Sequence, residues 1–348
     1  MTDTSVGEAR SIEAQLRAHA ELVADACRPY LPRSEPRRYL YDLVSDYPSR
    51  GGKAIRSSLC LATCRAFGGR TEDALPTAAA IELLHNAFLV HDDLADGSSL
   101  RRGQPTLHAQ WGVGLAVNTG DAMAIISQAP LRDNVARLGT RLAGQVADEF
   151  DTTMRRTVEG QAIELGWQRD NVEGLRPEDY LDLIMRKTCW YTTISPMRIG
   201  GLIGSWGTVS LDRFVRFGFY LGAAFQIQYD LLNLVGDEER YGKEIQGDLW
   251  EGKRTLMLIH LQHAARDDER DFLRCFLAKE RRERTDAEVR TVSALIDEHG
   301  SLDYARHYAA GIASAATDAF EEAFVGVDDS PDRRFVEDLI GYMLQRHS

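Results

Sequence analysis

The chain has 348 residues, a hydrophobic content of 44% and a formal net charge of -12, a balance that argues against a nucleic-acid-binding surface. Its five cysteines form no CxxC pair and no signal peptide is evident, so we expect reduced thiols in a cytoplasmic protein. No apolar run is long enough to predict a membrane span.

Helical periodicity begins near the amino terminus. Apolar residues recur every three to four positions through residues 10–28, which predicts a helix with one apolar face. Residues 78–91 are mostly apolar all round, a pattern typical of a buried helix that carries its polar residues to a site at its end. Pro177 suits the first turn of a further helix, which we expect to run through Lys187.

Helix boundaries are also evident in the carboxyl-terminal part of the chain. Thr285 and Glu288 have the spacing of a capping box, and Gly300 is placed to end the helix that follows. Pro331 opens the last helix, whose inner face would consist of Val336, Leu339, Ile340 and Met343. Strand patterns of useful length, internal repeats and low-complexity linkers are absent. The sequence therefore predicts one all-α domain spanning residues 1–348.

The most informative stretch lies at the end of the predicted buried helix. Residues 91–96 read His-Asp-Asp-Leu-Ala-Asp, and Arg101 and Arg102 follow after a short spacer. Asp92 and Asp96 are four residues apart, so on a helix they share one face. Magnesium prefers oxygen ligands and keeps phosphate oxygens in its shell, while guanidinium groups bind the remaining charge. The pattern therefore predicts a diphosphate that Mg2+ bridges to the two carboxylates.

Further candidates for binding anions lie on both sides of this motif. Lys53 and Arg56 come near the start of a helix, where backbone amides also favour an anion. His85 precedes Asp92 by seven residues, or two helical turns, so its imidazole should face the same cavity. Other basic or polar residues occur near a helix end and around a later loop: Lys187, Thr188, Lys243 and Lys253.

In their order and combination, the motifs from Gly51 to Thr255 resemble the trans-isoprenyl diphosphate synthases, the polyprenyl synthetase family, and most closely geranylgeranyl diphosphate synthases of bacterial type. The resemblance implies a bundle of long helices around a deep central cavity, usually in a homodimer. It also implies a Mg2+-dependent prenyltransferase that condenses isopentenyl diphosphate with an allylic prenyl diphosphate. The expected product is geranylgeranyl diphosphate.

The resemblance also implies a role for each matching residue. Isopentenyl diphosphate would be held by Lys53, Arg56, His85 and Arg102. Mg2+ would be carried by Asp92 and Asp96, with Asp93 in support. The allylic diphosphate would be bound by Arg101, Lys187, Thr188, Gln226, Lys243 and Lys253. The residues expected to be catalytic are Asp92, Asp93, Asp96, Arg101 and Lys187.

The second aspartate-rich motif departs from the family pattern Asp-Asp-x-x-Asp. Tyr229 replaces the first aspartate and Asn233 the last, and a neutral phenol is a poor magnesium ligand. Asn233 and Asp237 share the helical face of Tyr229 and are doubtful ligands, while we expect Asp230 to point elsewhere. The departure leaves three readings open: a synthase with a weakened metal site, a terpene cyclase derived from this family, or a partner subunit of low activity. The complete isopentenyl diphosphate set favours the synthase.

The length of the product depends on what closes the cavity. Ala87, five residues before Asp92, is small where short-chain members of the family often carry an aromatic residue. We expect a helix step to turn the neighbouring Phe88 away from the cavity. The cavity should then admit a fifteen-carbon allylic substrate and give a twenty-carbon product.

Overall fold

The computed structural model describes residues 4–236 and 244–344, and helices dominate it. The first helices are α1 (Thr4–Cys27), α2 (Asp42–Ser49), α3 (Ile55–Ala66) and α4 (Thr71–Asp96). A 3-10 turn at Arg28–Tyr30 and a π-helical segment at Arg37–Tyr41 connect α1 to α2. Within the described ranges, β-structure is confined to an antiparallel pair of two-residue strands, β1 (Leu100–Arg101) and β2 (Gln104–Pro105).

The central part of the chain continues with long helices. These are α5 (Leu107–Trp111), α6 (Val113–Ile126), α7 (Ala129–Arg169), α8 (Pro177–Ile184), a π-helix (Met185–Ile194), α9 (Ser195–Gly204) and α10 (Arg213–Val235). Helix α7 bends at Gly139, whose φ of 73° lies outside the helical region. The two prolines at the starts of α7 and α8 take first-turn positions, where a missing backbone N–H costs no helical hydrogen bond.

The carboxyl-terminal helices follow residue 244. They are α11 (Gly247–Glu251), α12 (Leu256–Ala264), α13 (Asp267–Leu277), α14 (Asp286–Glu298), α15 (Ser301–Ala323) and α16 (Pro331–Leu344), with a 3-10 turn at Arg281–Glu283. The capping box is confirmed, because the Glu288 backbone N–H donates to Thr285 Oγ1. The predicted inner face of the last helix is buried as expected. The all-α fold class is thus confirmed for the residues that the structure describes.

Helix α4 lies at the centre of the part that matters for function. Its apolar residues from Ala78 to Val90 are almost all buried, and it packs against α3, α6 and α7. Helix α10 packs against α15 and against the π-helix on the other side of the same space. The polar end of α4 therefore faces the segment of the π-helix that carries Lys187. Among the described residues, no helix combines the length and apolar character that a membrane crossing needs.

Two glycines allow backbone contact around the π-helix. A Cβ at Gly160 of α7 would lie 2.4 Å from the backbone nitrogen of Lys187. A Cβ at Gly222 of α10 would lie 2.9 Å from the Cα of Cys189. Larger residues would push the elements apart, so α7 and α10 hold the π-helix from both sides. The resulting rigid contact fixes the position of the side chains that the π-helix projects between them.

Candidate active site

A cavity of about 840 Å3 opens between α3, α4, α7, α8, the π-helix and α10. Most of the residues predicted for the site line it, namely Lys53, Arg56, His85, Asp92, Arg101, Arg102, Lys187, Thr188, Gln226 and Lys253. Its apolar wall includes Phe88, Leu89, Leu165, Leu183, Ile184 and Phe225. The cavity thus combines a strongly charged region with an apolar one.

Helix α4 presents His85, Phe88 and Asp92 to this cavity. Their spacing of three and four residues puts them on one helical face. Ala87 instead packs in the core beside Leu43, so our expectation that Ala87, and not Phe88, faces the cavity is wrong. The reason is geometric. Around the helix axis, the side chain five residues before Asp92 points about 140° away from that of Asp92, whereas the side chain four residues before it points only about 40° away.

The first two aspartates of the motif have different surroundings. Asp92 lies 3.4 Å from Lys187 Nζ and 3.7 Å from Arg101 Nη2, and its side chain is 25% exposed. Asp93 is buried behind the wall, where Arg101 Nε donates to its two oxygens at 2.9 and 3.0 Å and Tyr47 donates at 2.6 Å. Burial alone would lower the pKa of Arg101, but the neighbouring Asp93 raises it above its ordinary value. Asp93 therefore orients a fully charged Arg101 towards Asp92.

Asp96, the last residue of α4, is also buried and binds a cation. Its Oδ2 lies 2.7 Å from Lys253 Nζ, which is also 2.6 Å from Glu251 and 3.7 Å from Asp248. Burial would lower the pKa of Lys253, but the carboxylates of Asp96, Glu251 and Asp248 raise it well above its usual range. Lys253 is therefore held in its ammonium form at the edge of the cavity.

Lys187 is held in the same way on the opposite side. It forms an ion pair with Glu164 of α7 as well as with Asp92. Burial would lower the pKa of Lys187, yet Glu164 and Asp92 raise it. The next residue, Thr188, donates to Gln226 Oε1 at 3.0 Å. The π-helix is thereby linked to α7, α4 and α10 by polar contacts that all face the cavity.

The altered second motif is divided between the cavity and the protein interior. Tyr229 and Asp230 both line the cavity, which corrects the expectation that Asp230 points elsewhere. Asp230 accepts hydrogen bonds from Tyr180 at 2.8 Å and from Gln226 at 2.7 Å. Burial raises the pKa of Asp230 to about 6, although these two hydrogen bonds act in the opposite direction.

Asn233 has a different role from its family counterpart. Its Oδ1 accepts a hydrogen bond from the Asp248 backbone N–H at 3.0 Å, and its side chain is buried. The amide oxygen thus holds the start of α11 and is not directed at the cavity. Asp237 and Lys243, two other candidates, lie outside the described residues.

A second basic group occupies the α3 side of the cavity. Arg56 Nη1 lies 3.5 Å from His85 Nε2, and Arg102 donates to the Tyr47 backbone oxygen at 3.3 Å. Burial lowers the pKa of His85 well below its ordinary value, and Arg56 and Arg102 lower it further. His85 is therefore a neutral imidazole at physiological pH. Lys53, the remaining member, lies over the ring of Tyr342 at 5.8 Å.

Several residues that line the cavity were not predicted from the sequence, namely Glu82, Gln161, Glu164, Tyr191 and Asp248. Helical spacing gave a signal for most of them: Gln161 and Glu164 are three residues apart on an otherwise amphipathic helix. Glu82 likewise precedes His85 by three residues on the buried α4. Tyr191 follows Lys187 by four residues and so had a similar signal, whereas Asp248 carried none.

The donors around the charged region are suited to a hard cation. No three His, Cys, Asp or Glu residues within the described part of the chain form a metal-binding cluster by themselves. Magnesium, however, is commonly bound by one or two carboxylates together with substrate phosphates and water. Asp92, which faces the cavity, and Asp96 beside it can supply those carboxylates, so the residues present fit Mg2+ together with a diphosphate.

The chain is similar to known prenyl synthases in sequence. The polyprenyl synthetase family model matches residues 37–296. Geranylgeranyl diphosphate synthase of Saccharolobus solfataricus is 31% identical over 85% of this chain and 87% of its own length. Geranylgeranyl diphosphate synthase of Cyanophora paradoxa is 36% identical over 68% of this chain and 78% of its own length.

Solved structures agree with this relationship. Geranylgeranyl pyrophosphate synthetase from Pyrococcus horikoshii superimposes with a TM-score of 0.83 at 28% identity, covering 97% of this chain and 99% of that one. A polyprenyl synthase from Caulobacter crescentus, complexed with calcium and isoprenyl diphosphate, gives a TM-score of 0.81 at 26% identity, with coverage of 100% and 99%. On the family match, the sequence similarity and the shared fold, this chain belongs to the polyprenyl synthetase family, a family of prenyltransferases.

Proposed function

We propose that this protein condenses isopentenyl diphosphate with an allylic diphosphate to form geranylgeranyl diphosphate, in a reaction that requires Mg2+. One observation carries the proposal: a single cavity contains two separate basic groups, and the aspartates of the 92–96 motif accompany only one of them, whereas Glu82 lies near the other. Arg56, His85 and Arg102 form the first group, while Lys187 and Lys253 lie among carboxylates in the second. A condensation of two diphosphates needs two anion sites that face each other across one apolar space.

The acidic side suits the allylic diphosphate. Asp92 and Asp96 would hold Mg2+, and Arg101, oriented by Asp93, would bind a phosphate oxygen beside them. Lys187 and Lys253 are ammonium groups held by carboxylates, so both can bind the anion that leaves. Thr188 and Gln226 would add hydrogen bonds to the same diphosphate, and Lys243, which lies outside the described residues, is a further candidate for binding it.

The basic group on the α3 side of the cavity suits isopentenyl diphosphate. Its double bond is the nucleophile, so this substrate need not ionise and its diphosphate requires binding without metal activation. Lys53, Arg56 and Arg102 would bind the phosphates, and neutral His85 can donate a hydrogen bond without adding charge. These four residues are the reason for preferring chain elongation to cyclisation.

The reaction follows from this arrangement. Asp92 and Asp96 would hold Mg2+, which would supply stabilisation of the negative charge on the departing diphosphate. Lys187, Arg101 and Lys253 bind the same charge as it grows, which favours the transition state over the ground state. The apolar wall, including Phe88 and Ile184, keeps water from the allylic cation until the isopentenyl double bond attacks it. The proton then lost passes to the diphosphate that has been released.

A terpene cyclase is the second candidate, and Tyr229 supports it. The Tyr229 ring lies 4.5 Å from that of Phe225, and both line the cavity. Aromatic faces stabilise a nearby cation, which a cyclase needs over several steps. The retained isopentenyl diphosphate residues have no purpose in that chemistry, so we favour a synthase whose second metal site is weakened.

We also propose that the protein is a cytoplasmic homodimer of single-domain subunits. Exposed apolar side chains on α5 and α6, those of Trp111, Val113, Val117 and Ile125, suit burial against a second copy. The contact of Arg65 on α3 with Asp332 on α16 supports one domain, since it joins early and late parts of the chain. All five cysteines are free, which agrees with a reducing compartment. Sedimentation velocity tests the dimer.

Elongation assays test the function. Purified protein with Mg2+ and labelled isopentenyl diphosphate is given dimethylallyl, geranyl or farnesyl diphosphate in turn. Because the relatives named above are geranylgeranyl diphosphate synthases, we expect a twenty-carbon diphosphate as the main product, even though Phe88 and not Ala87 lines the cavity. Arg102→Ala should raise the KM for isopentenyl diphosphate, whereas Lys187→Ala should act on the allylic substrate. If none of the three allylic substrates led to incorporation of the label, the proposal would be contradicted.

A further inference from the structure

Tyr191 connects the basic and the apolar parts of the cavity. It lies on the π-helix four residues after Lys187 and lines the cavity with it. Arg56 Nη2 donates a hydrogen bond to Tyr191 Oη at 2.6 Å, and the Arg56 guanidinium carbon lies 4.1 Å from the centre of the Tyr191 ring. The same ring packs against that of Phe88 in a T-shaped arrangement, at 5.7 Å between centroids and an angle of 90°.

Arg56 depends strongly on this contact for its orientation. Its guanidinium donates to Tyr191 at 2.6 Å and lies 3.5 Å from His85, and the second distance is at the limit of a hydrogen bond. Arg56 Nε is buried and has no hydrogen-bond partner among the described residues, so this donor is available to an anion. The hydroxyl and ring of Tyr191 restrict the guanidinium from two directions and leave that donor unused.

We propose that Tyr191 is a positioning residue for isopentenyl diphosphate, acting through Arg56, and that its ring together with Phe88 forms part of the wall that limits chain growth. This inference rests on the proposed function and deepens it. The ring lies against both Arg56 and Phe88, whereas the hydroxyl contacts Arg56, so only the positioning role uses the hydroxyl. The two roles can therefore be separated by substitution.

Tyr191→Phe removes the hydroxyl and keeps the ring. The KM and the dissociation constant for isopentenyl diphosphate should rise about tenfold, the change expected when a charge-assisted hydrogen bond is lost. The KM for the allylic substrate and the product length should stay unchanged. Tyr191→Leu removes the ring as well, so it should also allow products longer than those of the unmodified protein.

A double-mutant cycle distinguishes positioning from a merely structural role. If Tyr191 acts through Arg56, Tyr191→Phe should add nothing further once Arg56→Ala is present. Tyr220→Phe is the matched control, because Tyr220 lies against Arg216 at 5.8 Å and does not line the cavity. It should leave both substrate affinities as they are.

Calorimetric titration of isopentenyl diphosphate measures binding without turnover. An unchanged dissociation constant for Tyr191→Phe, or additive effects with Arg56→Ala, would overturn the positioning role while wild-type elongation still supports the proposed function. Unchanged product length for Tyr191→Leu would overturn the wall role. If the wild-type protein neither bound isopentenyl diphosphate nor elongated an allylic substrate, both the inference about Tyr191 and the proposed function would be overturned.

Discussion

Replacing Asp92 with alanine separates the chemistry of the acidic side from the stability of the fold. Asp92 is the cavity-facing aspartate of its motif, and its contacts to Lys187 and Arg101 are 3.4 and 3.7 Å long. Both cations keep a closer partner after the substitution, Lys187 with Glu164 and Arg101 with Asp93. No buried charge is left unpaired, so the free energy of unfolding should change by at most about 1 kcal/mol.

The effect on the reaction should be far larger. A metal ion contributes several kcal/mol of stabilisation to developing charge, and losing about 4 kcal/mol of it corresponds to about a thousandfold lower kcat/KM. Steady-state elongation rates measured across a Mg2+ titration give the change in kcat/KM. Thermal unfolding followed by circular dichroism gives the change in the free energy of unfolding. Asp96→Ala is a poorer probe, because Asp96 is buried against Lys253 and its removal also disturbs packing.

A matched control keeps this comparison clean. Asp303→Ala removes an exposed aspartate that pairs with Arg306 on the surface of α15, and we expect neither activity nor stability to change. Undiminished turnover of Asp92→Ala would refute the assignment of the metal-binding carboxylate. A loss of activity matched by a lost helical signal would show instead that Asp92 is needed for folding.

Four further substitutions test the metal site, the buried carboxyl and the cavity wall. Tyr229→Asp should lower the Mg2+ concentration needed for half-maximal elongation and raise the rate, and an unchanged Mg2+ requirement would contradict a weakened metal site. Because burial raises the pKa of Asp230 to about 6, the native protein binds a proton that the unfolded chain releases at intermediate pH. The free energy of unfolding of the wild type, relative to that of Asp230→Asn, should therefore increase by about 3 kcal/mol as the pH falls from 7 to below 4. Urea unfolding measures this difference, and a difference that does not change with pH would refute the raised pKa of Asp230. Phe88→Ala should lengthen the product, as mass spectrometry would show. Ala87→Phe should leave the product length unchanged and should destabilise the core beside Leu43, as thermal unfolding would show.

Local patterns predicted much of the fold. The capping box at Thr285, the first-turn prolines and the buried α4 all follow from short-range spacing, and the structure confirms them. The face shared by His85 and Asp92 was predictable for the same reason, because seven residues make two helical turns. Our error over Ala87 came from giving the cavity face to the position five residues before Asp92, whose side chain points about 140° away from that of Asp92 around the helix.

Other features of the site depend on contacts between distant parts of the chain. Sequence spacing could not show that Arg56 lies on Tyr191, which is 135 residues away. Nor could it show that Asn233 binds the backbone of Asp248, or that a π-helix between two glycine contacts orients Lys187. These arrangements depend on how helices pack, and the sequence pattern of each helix alone does not specify that packing.

The central claim is that this cavity joins two diphosphates and does not cyclise one of them. The most direct measurement is the release of inorganic diphosphate from farnesyl diphosphate and Mg2+, with and without isopentenyl diphosphate, together with the mass of the product. The account predicts release that depends on isopentenyl diphosphate and equals the amount of twenty-carbon diphosphate formed. Equally fast release without isopentenyl diphosphate, accompanied by a cyclic hydrocarbon that carries no diphosphate, would contradict it.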